Sequence, residues 1–124
     1  MIRIFLLLAV LCCSTSSIAL ADVSNEKDIH CAAYYELLSV VGDQPDISRK
    51  QSSKAFYALL KHAGDTQEAQ NAVAQKMVDI GEEIPGPMTP ASTAKLRGKY
   101  DVECKPLMKA AWCEVYEDPT ACEG

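Results

Sequence analysis

Four cysteines carry the most legible chemistry of this 124-residue chain. Cys104, Cys113 and Cys122 stand nine positions apart near its end, and Cys31 stands alone far upstream. Thiols grouped this way can hold a metal, run redox exchange or cross-link the chain. Zinc and haem attachment need C-x-x-C-type spacing with histidines in reach, and thioredoxin-like exchange needs C-x-x-C; the sequence has neither pattern. His30 and His62 lack partners at ligand spacing. No metal and no cofactor is expected, and the four cysteines are read as two disulfides.

Catalytic constellations are equally scarce. The chain has no nucleophile elbow, no H-E-x-x-H, no calcium loop and no phosphate-binding glycine loop. Glu82 and Glu83 form the one acidic pair near a loop that could line a cleft, and His62 could act as a base. Both have plainer uses. Carboxylates solubilise a helix end, and a histidine in a last helical turn complements the helix dipole. The expectation is a protein without enzymatic activity, with a hydrolase built on Glu82, Glu83 or His62 as the minor alternative.

The compartment follows from the N-terminus. Arg3 precedes an apolar run over residues 4–13, and Ala19-Leu20-Ala21 offers an A-x-A cleavage site. This is the pattern of a secretory signal peptide, 1–21, cleaved after Ala21. The run is half the length of about 20 residues that a membrane span needs. Cys12 and Cys13 raise lipoprotein acylation, but the residue before the cysteine is Leu11 or Cys12 rather than a small one. Cleavage removes one basic and no acidic residue, which takes the charge from −5 to −6 over residues 22–124. An acidic surface repels phosphate, so nucleic acid is excluded as an expected partner. No polybasic segment predicts stable membrane attachment after cleavage. The expected location is periplasmic or secreted.

The remaining residues predict a single all-α domain, 22–124: a small disulfide-stapled bundle of four to five helices. A first helix is expected from an N-cap at Ser24 to a stop at Gly42, with Cys31, Tyr34, Tyr35, Leu38 and Val41 on its apolar face. A second is expected over about 48–62, with Ala55, Phe56, Leu59, Leu60 and Ala63 inward. A third is expected after a cap at Asp65, with the stripe Ala69, Ala72, Val73, Met77 and Ile80. Three prolines and a glycine make residues 82–90 a stiff linker. Thr89-Pro90 then opens the last helical segment, in which Leu96, Tyr100, Cys104, Leu107, Met108, Ala111 and Val115 keep the 3–4 spacing across Pro106. That predicts a kinked helix, or two nearly in line, ending near Glu117.

This layout ranks the three possible disulfide pairings. Nine helical residues rise about 13.5 Å, and a disulfide needs Cα atoms within about 7 Å. Cys104 therefore cannot bond Cys113 along one helix. Cys31–Cys104 with Cys113–Cys122 is preferred, because Cys31 and Cys104 share the core side and the chain can reverse at Asp118-Pro119. Cys31–Cys113 with Cys104–Cys122 remains possible but stretches the tail along the helix.

With no catalytic motif, function falls to the surface. Adjacent helical residues lie about 100° apart, so one of Tyr34 and Tyr35, together with Tyr57, is expected to be half exposed. Trp112 flanks Cys113 and either packs over the disulfide or anchors a partner. Tyr34, Tyr35, Tyr57 and Trp112 are the candidate partner-binding residues. The expected function is a protein-binding factor of the periplasm, of inhibitor, immunity or assembly-partner type, with an unidentified protein partner. The alternative is a carrier of a small apolar ligand, since the alanine-rich helices and Met77, Met88 and Met108 could shape a cavity.

Two resemblances bear on this. The spacing Cys104-x8-Cys113-x8-Cys122 resembles the last three cysteines of insect odorant-binding proteins, which are small, helical and secreted. That family has a C-x3-C pair after its first cysteine, and this chain has no cysteine between Cys31 and Cys104, so no residue role is carried over. The build is also similar to that of bacterial periplasmic helical proteins such as acid-stress chaperones and immunity proteins for periplasmic toxins, a likeness of size and class without a shared motif.

Overall fold

The computed structural model describes residues 22–122. The signal peptide expected over 1–21, with Cys12 and Cys13, lies outside the described residues. The described chain folds into helices α1 (Asp22–Val41), α2 (Arg49–His62), α3 (Gln67–Glu82), α4 (Pro90–Tyr116) and the single turn α5 (Pro119–Cys122). It is a small all-α bundle, as the periodicity predicts. Among the described residues no helix is long and apolar enough to cross a membrane.

Local chemistry explains most of the boundaries. Ser48 and Gln51 close a reciprocal capping box at the start of α2, and Thr89 and Ser92 do the same for α4 behind Pro90. Gly42 ends α1 at a φ of +116°, a conformation in which a side chain is strained. At the end of α2 the Gly64 amide bonds the Lys61 carbonyl at 3.0 Å and the Asp65 amide bonds the Leu60 carbonyl at 3.0 Å. That is a Schellman closure, and it corrects the expected Asp65 cap. Asp65 terminates α2, and Thr66 caps α3 by accepting from the Ala69 amide at 3.1 Å. The expected Ser24 cap is also corrected, because α1 is already helical at Ser24.

α4 runs unbroken through Pro106 as one helix. Pro106 removes the amide that would bond the Val102 carbonyl. Val102 and Pro106 are both exposed, so the freed carbonyl faces water and costs less than an interior break would. Glu117 adopts a left-handed conformation after α4, and the chain reverses into α5.

α1 occupies the centre and packs against α2, α3 and α4. Cys31, Ala32, Ala33, Tyr34 and Tyr35 are consecutive and all buried. Five consecutive buried residues turn through more than a full circle, so this stretch is enclosed on every side. α2 adds Ala55, Ala58, Leu59 and Leu60 to the core; α4 adds Leu96, Tyr100, Cys104 and Ala111. α3 adds Ala69, Val73 and Ile80 and leaves Ala72 and Met77 half-buried.

Both favoured disulfides are formed. Cys31–Cys104 joins α1 to α4, and Cys113–Cys122 folds α5 onto the end of α4, each with Cα atoms 5.2 Å apart. The two bonds fit an oxidising compartment. Their sequence separations are 73 and 9 residues. On the chain-entropy account the longer closure contributes about 4 kcal/mol and the shorter about 3. We therefore expect Cys31→Ala/Cys104→Ala to lower urea stability by at least about 4 kcal/mol, and Cys113→Ala/Cys122→Ala to cost no more than about 3. Equal losses for the two double variants would contradict the placement of Cys31–Cys104 in the core.

Candidate functional site

Both tyrosines of the α1 pair are sealed in the core, contrary to the expectation that one is half exposed. Tyr34 is 0 % and Tyr35 2 % exposed, so neither is half exposed and neither reaches a partner. The sequence argument assumed a helix with one solvent face, and α1 has none at this point. The Tyr34 hydroxyl donates to Asp101, and burial followed by that carboxylate pushes the phenol far above its ordinary pKa. Tyr35 is likewise raised, chiefly by burial. Tyr57 is 45 % exposed, with Lys61 Nζ 5.4 Å from its ring centre. Trp112 is half-buried, edge-on to Tyr116 at 4.9 Å, with Lys54 Nζ 4.9 Å from its ring. Its Nε1 donates to Asp118 at 3.3 Å. Trp112 thus packs among groups of α2, α4 and the turn before α5, while Tyr57 stands apart on α2.

Of the candidate acid and base groups, Glu83 and His62 are held in pairs with other helices. Glu83 accepts from Lys99 Nζ at 2.7 Å and from the Tyr100 hydroxyl at 2.9 Å, and these donors lower its pKa. Glu82 is exposed. His30 lies against Tyr100 at 4.9 Å, and burial lowers its pKa. A larger network joins the α1–α2 loop to α4. Arg97 meets Asp46 through two bonds of 2.6 and 2.7 Å and Asp101 at 3.1 Å. Both partners respond: Asp46 is held well below the carboxylate range and Arg97 above its own, each chiefly by their shared hydrogen bonds.

His62 bridges three helices. Its Nδ1 lies 2.7 Å from the buried Asp28 of α1, and its Nε2 lies 3.2 Å from Glu114 of α4. A neutral imidazole donates from only one nitrogen, so two facing carboxylates favour the doubly protonated cation. The Asp28 hydrogen bond is the main cause of a raised His62 pKa, opposed by partial burial and aided by the charges of Asp28 and Glu114.

Cavities at the surface are grooves rather than chambers. One of about 470 Å³ lies between the start of α1 and the length of α3. Ile29, Ala63, Ala69 and Ala72 form its apolar floor, and Glu26, Glu68, Lys76 and Asp79 stand on its sides. Ala72 was expected in the core; it lies half-buried here because α3 packs on α1 through the neighbouring line Ala69, Val73, Ile80. The sequence signal was an apolar stripe wider than one contact face requires. A second groove, of about 710 Å³, runs between the α1–α2 loop and the start of α4 and has Asp43, Arg97 and Asp101 among its walls. Among the described residues, no cluster of three or more histidine, cysteine or acidic groups could hold a metal.

Fold and surface together define a disulfide-stapled helical bundle with an open apolar groove along one outer helix. Compared with protein families, curated proteins and solved structures, the chain matches none.

The His62 bridge makes a pH prediction. A folded pKa above the unfolded value of about 6.5 contributes stability that is complete below that value and is lost as pH rises through the folded one. We expect the urea midpoint to fall as pH rises above about 6.5, and His62→Gln to flatten most of that slope. An unchanged slope in the variant would show that His62 does not carry it.

Proposed function

We propose that this protein is a non-enzymatic protein-binding factor of the periplasm or the exterior, exported by a cleaved signal peptide, of inhibitor, immunity or assembly-partner type. The observation that carries the reading is the open groove between α1 and α3, an apolar floor beside charged walls on a framework fixed by two disulfides. A rigid surface loses little conformational freedom on binding, which favours affinity from a modest contact area.

The engagement of His62 and Glu83 with neighbouring helices, and of Arg97 with Asp46 of the α1–α2 loop, supports a structural use of these groups. A histidine whose two ring nitrogens both face carboxylates of neighbouring helices has neither nitrogen free for a substrate proton. The carrier reading has less support, since a small apolar guest is best held in a chamber that buries most of its surface, and the α1–α3 groove is open.

Native mass spectrometry on the protein released gently from the cells that make it tests the reading. A stoichiometric complex with a second protein is expected. Added mass of small-molecule size would favour the carrier and overturn the proposal.

A further inference from the structure

We propose that the α1–α3 groove docks a basic amphipathic helix of the partner protein; this rests on the protein-binding reading above. The shape comes from α3. Glu68, Ala69, Ala72, Gln75, Lys76 and Asp79 all line the groove, and their 3–4 spacing is one continuous stripe along the helix. From Glu68 to Asp79 the stripe rises about 16 Å, the length of three helical turns. Ile29 of α1 and Ala63, at the end of α2, line the groove with it.

Small side chains make this a seat for a helix rather than for an extended strand. The alanines at 69 and 72 let a second helix approach as closely as packed helices do, about 8–10 Å between axes. An extended peptide would instead seek unpaired backbone groups, which a helical surface does not offer. The apolar stripe of a docked helix would meet Ile29, Ala69 and Ala72, as in helix-in-groove recognition.

Charge selects the sign of the partner. Glu26, Glu68 and Asp79 stand around the floor, against the single cation Lys76 among the groove's lining residues. Neither Glu26 nor Glu68 has an ion-pair partner among the described residues, and Asp79 accepts a bond only from the neutral Gln75 amide at 3.0 Å. Where carboxylates do join helices elsewhere they meet cations: Asp28 and Glu114 face His62, Asp46 and Asp101 face Arg97 and Lys105, and Glu83 faces Lys99. The groove therefore keeps carboxylates for groups from outside, and lysines or arginines flanking an apolar stripe complement them.

The probe is a labelled synthetic helix of about 18 residues, leucine and alanine on one face and lysine on both flanks. Binding is read by fluorescence anisotropy and mapped by amide shifts. We expect shifts centred on Ile29, Ala69 and Ala72, and an affinity that falls with salt. Ala72→Lys should weaken binding by about tenfold or more with unchanged melting, since the half-buried position tolerates a longer side chain. The triple variant Glu26→Lys/Glu68→Lys/Asp79→Lys should lose this probe and gain the glutamate-flanked version of it. Shifts centred around Trp112, unchanged binding by Ala72→Lys, absence of binding, or equal binding of both probes to the unmodified protein would each overturn the proposal.

A photo-crosslinking residue at position 72, 57 or 112, in the cells that make the protein, separates the two levels of the argument. Protein adducts at 72 are expected. Adducts at 57 or 112 alone would overturn the groove while leaving the protein-binding reading standing. Adducts at none of the three would overturn both.

Discussion

The enclosure of α1 is the constraint from which the rest of the structure follows. A helix buried on every side from Cys31 to Tyr35 offers no face to water, so three other helices must surround it. Its small residues, Ala32 and Ala33, let neighbours come close, and its large ones, Tyr34 and Tyr35, fill the space toward α4 and the α1–α2 loop. Close packing of this kind leaves alanine-rich helices with little apolar area per turn. The Cys31–Cys104 bond supplements that thin core at its centre, where it also restricts the unfolded chain most.

Buried tyrosines bring polar atoms into the centre, and carboxylates answer the hydroxyls of Tyr34 and Tyr100, while that of Tyr35 has no hydrogen-bond partner among the described residues. Asp101 accepts from Tyr34 and is itself met by Arg97, which also grips Asp46 in the loop before α2. The same logic recurs at the other end, where His62 joins α1, α2 and α4 through two carboxylates. His62 and Glu83, which sequence reasoning could offer as catalysts, therefore hold helices together. On the α1–α3 side, Glu26, Glu68 and Asp79 have no ion-pair partner among the described residues and border an apolar floor, so complementarity is directed outward.

Much of this was legible in the residues. Helix count, the stop at Gly42, the start of the second helix near Ser48 and of the last at Thr89-Pro90, the core stripe of α4 and the preferred disulfide pairing all follow from local rules: capping geometry, 3.6-residue periodicity and the reach of a disulfide. The errors also have a local origin. Asp65 and Thr66 are both good caps, and the choice between them depends on a Schellman closure that uses the Asp65 amide. The exposure of Tyr34 or Tyr35 was inferred from a one-sided helix, and the groove was missed because Ala72 reads as core in any amphipathic count.

The sequence by itself determined the helical segments, the acidic charge and a preferred order of the disulfide pairings, because these depend on neighbours within a few residues or on a covalent distance. Tertiary structure alone decided which helix lies at the centre, which tyrosines are sealed, which carboxylates find a cation and which apolar line is left open. Those outcomes depend on how many helices crowd a given face. Amphipathic periodicity records that a face is apolar, not how many partners will cover it.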